Sequence, residues 1–207
     1  TKIASNELWG VIVHPTLADI CRMILKYFRM AQEKYPGVTW EEIVIWKMDL
    51  RGAYTLLFIK TEDTRLFSSL MTDEQVIFFF SGIFGWTGTP AAFQVVTRAM
   101  MYELALVLEG LTVMYVDDVI GVCLRRHVER EMGVMRTLFT NVLGSDSVED
   151  LKSMFGRRST VIGYDLDCDN CLATVSQKNL YRALHGFLTV DLEQTISVEY
   201  LQKLASW

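Results

Sequence analysis

Between Leu111 and Cys123 the chain reads LTVMYVDDVIGVC, two apolar runs of strand character with Asp117 and Asp118 between them. Burying an unpaired carboxylate is very costly, so a folding chain places two adjacent acids inside such a segment only with a reason. One reason is local. The apolar runs are each about five or six residues, short enough to be strands of a tight hairpin, and Asp is a good turn residue. The other reason is chemical: acids held at the tip of a hairpin can meet further acids and bind a cation.

A further acid is available. Asp49 ends the apolar, β-rich segment IVIWKMD. If that strand lies beside the hairpin in one sheet, Asp49 and Asp117 meet at its end. Clustered carboxylates repel one another unless a cation neutralises them, and hard oxygen ligands suit Mg²⁺. A pair of such ions about 3.5–4 Å apart is a standard device for in-line attack on phosphorus. A third segment, FGWTGTPAAFQ from Phe84 to Gln94, is a glycine-containing loop running into a helix. Taken alone it is a helix-entry loop; its glycines also let a backbone approach a ligand closely.

Around these segments the periodicity predicts a helix over Leu17–Tyr35, stopped by Pro36-Gly37, and a buried strand over Ile43–Met48. Strands are expected over Thr64–Met71 and Gln75–Phe80. A helix runs from Pro90, capped by Thr89, to Gly110. The hairpin strands Leu111–Val116 and Val119–Leu124 follow, then a helix over Arg126–Leu143. Short strands are expected over Val161–Leu166 and Leu172–Val175, and helices over Ser176–Leu188 and Val198–Ser206. The order gives an α+β fold with helices on one face of a mainly antiparallel sheet.

Composition narrows the function classes. The 207 residues are 51% hydrophobic and 22% charged, a globular balance. No apolar run approaches the roughly 18 residues of a membrane span, and the first residues carry no secretory pattern. A net charge of −5 argues against a protein that simply coats nucleic acid. The pair in CDNC, Cys168 and Cys171, lacks a second ligand pair for zinc, so reduced structural cysteines are expected, in an intracellular protein.

The set MDLRGAY, GWTGTPAAFQ and YVDD, in this order and spacing, resembles the palm of a reverse transcriptase of the retroviral and LTR-retrotransposon kind. The resemblance covers Ile43 to Leu166. LKSMFGRRSTVIGYDLD resembles the far edge of that palm, and VSQKNLYRALHGFL with EYLQKLASW the start of a helical thumb. It implies a right-hand polymerase palm with truncated fingers and a partial thumb. Residues 1–40 would be a helical remnant of the fingers, 41–175 the catalytic palm and 176–207 the thumb start. Asp49, with the Leu50 carbonyl, and Asp117 would be ligands for two Mg²⁺ or Mn²⁺ ions, and Asp118 would complete the acidic set less directly. Tyr54 would be the aromatic gate beneath the nucleotide sugar, with Arg51 and Ala53 beside it; the residue-level alternative is a core aromatic. Tyr115 and Val116 would lie against the primer end. Phe84, Gly85, Trp86 and Gly88 would form the loop over the template–nucleotide pair, and Lys152 would protonate the leaving pyrophosphate. Phe84 stands where many relatives carry Gln, and Gly52 where retroviral relatives carry a second Asp.

The implied activity is RNA-directed DNA synthesis from a primed RNA or DNA template and deoxynucleoside triphosphates, away from membranes. The setting would be a retroelement particle in the cytoplasm or nucleus. The chain is expected to be a palm excised from a larger polyprotein or a shortened remnant. Arg125, Arg126, Arg157 and Arg158, or the thumb-like tail, are expected to hold primer–template, weakly and with strong salt dependence, and polymerisation by this chain alone is expected to be slow or undetectable. Apolar surface left bare on the truncated fingers side could drive self-association. The alternatives are a catalytically weak or inactive retroelement-derived module that binds nucleic acid or protein, and an unrelated metal-dependent phosphodiesterase, which leaves Tyr54 and GWTGTPAAFQ unexplained.

Overall fold

A computed structural model describes residues 12–86, 88–188 and 197–198. The sequence-predicted helix over Val198–Ser206, and the N-terminal stretch up to residue 11, lie outside the described residues except for Val198.

Helix α1, Leu17–Lys34, begins where its sequence says it should. Thr16 accepts from the Asp19 N–H, and the Asp19 carboxylate accepts from the Thr16 N–H at 2.9 Å, a reciprocal cap. Its buried face, Ile20, Met23, Ile24, Tyr27 and Ala31, follows helical spacing. The chain then enters β1, Ile43–Leu50, through a short 3₁₀ turn at Trp40–Glu42. Two further 3₁₀ turns, Ala53–Leu56 and Thr61–Leu66, lead to the hairpin β2, Ser68–Thr72, and β3, Gln75–Phe78. Helix α2, Gly88–Val107, is followed by β4, Leu111–Tyr115, β5, Asp118–Leu124, and α3, Val128–Leu143. Strand β6, Val148–Gly156, precedes β7, Arg158–Val161, β8, Tyr164–Asp167, and β9, Leu172–Val175. Helix α4, Gln177–Leu188, closes the described part.

The main sheet has the order β4-β5-β1-β6, and every pairing in it is antiparallel. Strand β1 is therefore central, and both of its faces are covered. Helix α1 packs on β4 and β5, α2 on β4, and α3 on β1 and β6. Trp46 of β1 is fully buried opposite Gly121 of β5. That glycine is required, because a Cβ there would stand 2.1 Å from Trp46 Cε2. Glu131 of α3, also fully buried, fixes the entry to β4. Its Oε1 accepts from the N–H groups of Glu109 and Gly110 at 2.8 and 2.7 Å.

Three expectations are corrected, and one strand is present that the periodicity does not predict. Strand β2 starts at Ser68, because Thr61–Leu66 coil into a 3₁₀ turn held by the Thr64 hydroxyl on the Thr61 carbonyl. The stretch Val161–Leu166 is not one strand. Ile162 and Gly163, with φ of 41° and 83°, fold it into the β7–β8 hairpin, as a two-residue turn of positive φ does. Strand β6 was not anticipated; it lies at the sheet edge with most side chains exposed, so it carries no apolar alternation. Finally, Arg157 is not a surface cation. Its guanidinium donates to the carbonyls of Trp40, Ile43 and Cys168 at 2.6, 3.0 and 3.2 Å and pairs with Asp169, clamping the β7-β8-β9 sheet to the start of β1. Arg158 pairs with Asp167 and Asp169, and Arg126 with Glu42.

The four cysteines are unbridged. Asp167 organises the CDNC turn by accepting from the N–H groups of Asp169 and Asn170. Among the described residues no helix is long and apolar enough to cross a membrane. The β2–β3 hairpin is exposed along both strands, with Leu70, Met71, Val76, Ile77 and Phe78 in solvent.

Candidate functional site

The site is built where β1 meets the β4–β5 hairpin. In the antiparallel register Asp49 lies opposite Asp118, and Asp118 opposite Tyr115. The loop between β4 and β5 is Val116-Asp117 alone. Val116 sits at φ 54°, a region where a β-branched residue is strained by about 1–3 kcal/mol. The turn is tied to β1 by the Leu50 N–H, which donates to the Asp117 carbonyl at 2.9 Å. A bulge between Lys47 and Asp49 shifts the β1–β6 register at the same place.

Asp49 is buried and Asp118 half-buried. Each carboxylate has a lysine. Lys47 Nζ stands 3.0 Å from Asp118 Oδ1, although that oxygen accepts no aligned hydrogen bond; Lys152 Nζ donates to Asp49 Oδ2 at 2.7 Å. Burial pushes the Asp118 carboxyl above its ordinary range; the Asp49 carboxylate adds to the rise and Lys47 opposes it. Bonding to Asp49 raises Lys152 in turn, with a smaller push from Asp117. Among the described residues no group of three or more His, Cys, Asp or Glu is gathered tightly enough to hold a metal ion. The structure thus brings Asp49 and Asp118 together directly and leaves Asp117 on the turn beside them.

Around the acids, Gly52 adopts φ 65° and starts the 3₁₀ turn that carries Ala53, buried, and Tyr54, half-buried. The Tyr54 ring meets Phe84 at 5.2 Å and Phe93, edge-on, at 5.8 Å. Burial raises the Tyr54 hydroxyl, with the Asp117 charge second. Tyr54, Val116, Phe93 and Gln94 share the wall of a cavity of about 220 Å³. Gly85, at φ 91°, has open space where a side chain would be, Trp86 packs edge-on to Phe67 at 4.7 Å, and Gly88 begins α2. Arg51 grips Glu149 of β6 with two hydrogen bonds of 3.1 and 3.2 Å.

Three residues at the site had no role in the sequence reading. Lys47 was legible in principle, since it precedes Asp49 by two and so shares its face of the strand. His14 and Gln94 were not, because their partners are distant in sequence. The His14 ring lies 4.9 Å from Tyr115, and the Gln94 carboxamide pairs with both the N–H and the carbonyl of Val13, at 3.3 and 2.6 Å.

No family model matches the chain, and no curated protein does. Solved structures do resemble it. The foamy viral protease-reverse transcriptase in complex with double-stranded DNA is 10% identical with a TM-score of 0.61, over 95% of this chain and 36% of that one. The same viral protein with an RNA/DNA hybrid is 13% identical, TM-score 0.55, over 82% and 21%. Apo telomerase from Candida tropicalis is 11% identical, TM-score 0.53, over 83% and 37%. The chain therefore has an α+β, reverse-transcriptase-like fold of mixed helices and antiparallel sheet, and spans less than two fifths of these solved chains.

Proposed function

We propose that the protein is the palm of an RNA-directed DNA polymerase, with residues 41–175 forming the catalytic unit, 1–40 belonging to its fingers side and 176–207 to its thumb side. The observation that carries this reading is the register that sets Asp49 against the strained Val116-Asp117 turn, with Tyr54 on the adjacent cavity wall. Although no three acids are gathered here among the described residues, hard carboxylate oxygens stand at the ends of two paired strands, with the Leu50 backbone fixed by the turn, and Mg²⁺ needs only one or two carboxylates when waters and substrate phosphates complete its shell. Asp49 and Asp117 would hold two Mg²⁺ or Mn²⁺, with the Leu50 carbonyl beside Asp49 and Asp118 behind them. When bound, such ions activate the attacking hydroxyl and neutralise charge on the leaving pyrophosphate.

The chain's own residues do the rest. Tyr54, backed by Phe84 and Phe93, offers a ring face for the sugar of an incoming deoxynucleoside triphosphate. Tyr115 and Val116, at the hairpin tip, face the primer end. Gly85, Trp86 and Gly88 bring backbone against the templating pair of an RNA or DNA strand. Lys152, an exposed cation beside Asp49, would give a proton to pyrophosphate.

The test is primer extension on an RNA template with Mg²⁺ or Mn²⁺, read beside the melting temperature with and without the ion. Template-dependent incorporation requiring the ion is expected. A ligand that binds only the folded state raises the melting temperature, so absence of both incorporation and an ion-dependent rise overturns the reading. The two lysines on Asp49 and Asp118 favour a second reading, a catalytically silent module in which they replace metal. Nucleic-acid binding without any ion-dependent melting shift selects it.

Tyr54 gives a sharper prediction. Tyr54→Val removes the ring that a 2′-hydroxyl would meet, so ribonucleotides should be incorporated about 10- to 100-fold better relative to deoxynucleotides. Competition between the two nucleotide types in primer extension measures this. Unchanged discrimination in a variant that still extends assigns Tyr54 to packing alone.

A further inference from the structure

The two lysines at the acids differ in how they are held. Lys47 sits in the central strand, facing Ile120 of β5 on one side and Met154 of β6 on the other, and its side chain is only 19% exposed beside an Asp118 side chain at 20%. Lys152 projects from the edge strand and is 64% exposed, while the Asp49 side chain it reaches is 10% exposed. A buried partner cannot leave without stranding an unpaired buried charge, which is strongly destabilising. An exposed one can turn into water as soon as another cation takes its place on the carboxylate.

We propose that Lys47 is a permanent internal cation for Asp118, and that Lys152 is an exchangeable placeholder on Asp49 that a divalent ion displaces. This rests on the reading that Asp49 and Asp117 take divalent ions, and deepens it. Asp118 is then a positioning residue. Its charge is spent on Lys47, and it keeps the end of β5, and so the Asp117 turn, in register with β1. The exchange is simple ion replacement: the ion bonds the Asp49 carboxylate, and the Lys152 ammonium returns to water with its proton. Metal-free protein is thus kept folded with its acids neutralised, and only one of the two neutralising groups yields to the ion. It follows that removing either lysine has a different consequence, although both make one contact with one aspartate.

The experiment uses the whole chain, with Mn²⁺ as probe, followed by calorimetric titration and by melting temperature in EDTA. Lys152→Met should lower the EDTA melting temperature, because it strands the nearly buried Asp49 carboxylate, and should tighten Mn²⁺ binding roughly tenfold, so that Mn²⁺ restores the lost stability. Lys47→Met should lower the EDTA melting temperature clearly, and adding Asp118→Asn should recover most of that loss, because both ends of the pair are then neutral. An insoluble Lys47→Met made soluble by Asp118→Asn is the same coupling in stronger form; a pair of variants that both remain insoluble overturns it. A Lys47→Met protein as stable as wild type overturns the permanent cation. Mn²⁺ affinity unchanged by Lys152→Met overturns the exchange. If neither wild type nor Lys152→Met binds Mn²⁺, the divalent reading of the site fails and the exchange with it, while the coupling of Lys47 to Asp118 is decided by the EDTA measurements alone.

Discussion

Asp117→Asn is expected to lower template-directed incorporation by about 10²–10³-fold or more, the order of loss when one preorganised group facing developing charge is removed. The folded chain should scarcely notice. The contact that Asp117 makes to β1 is its backbone carbonyl, which accepts from the Leu50 N–H, and Asn keeps it. Asn is also tolerant of turn positions. The substitution therefore separates chemistry from folding, as Asp49→Asn does not: Asp49 is buried and bonded to Lys152, so its loss disturbs packing and charge together. Primer extension and thermal unfolding on the same preparation read the two effects. Incorporation within a few-fold of wild type, in a variant that unfolds normally, removes Asp117 from the chemistry and the polymerase reading with it.

Gly121→Ala should have the largest effect on stability. The added methyl would lie 2.1, 2.3 and 2.5 Å from Cε2, Cζ2 and Nε1 of Trp46. Trp46 is fully buried and belongs to the central strand, so it has nowhere to retreat. Overpacking of a well-filled core costs typically 1–3 kcal/mol and occasionally more. Here about 3 kcal/mol or more is expected, roughly 10 °C in melting temperature for a chain of this size. Trp46→Leu made in the same chain should restore part of the loss, because the two sites share one space. Calorimetry of the single and double variants checks both statements, and an unchanged melting temperature in Gly121→Ala would mean that the strands move apart freely at this point.

Much of this arrangement was legible in the residues themselves. Helix α1 was readable because its cap, its apolar period and its Pro-Gly stop all agree. The β4–β5 hairpin and β1 were readable because short apolar runs end at acids. Strand β6 was not, because an edge strand whose Asp150, Leu151, Lys152, Met154 and Phe155 are all exposed shows no apolar-in, polar-out alternation. Its absence from the sequence reading also hid the way Lys152 and Arg51 are placed, since both act across β1 and β6. Arg157 misled for a related reason. An Arg-Arg pair reads as a solvated basic patch, and nothing local says that one guanidinium will be taken up by three carbonyls, two of them more than a hundred residues away. Of the candidate site, the acids and Tyr54 were found through their motifs; Lys47, His14 and Gln94, whose meaning depends on partners across the fold, were not.

Strand β1 has a consequence for how such a gene can change. Its alternate residues do two different things: Val44, Trp46 and Met48 fill the core, while Lys47 and Asp49 serve the acidic pair on the opposite face. Side chains alternate with a period of two, so one inserted or deleted codon between Ile43 and Asp49 would exchange the faces of every residue on one side of it. Asp49 would be driven into the core, or Trp46 into the cleft. Point substitutions can be tried there singly, but length cannot drift. Codon-level variation in this segment should therefore be confined to replacement, whereas a turn such as Asp73-Glu74, between two exposed strands, is free to lengthen.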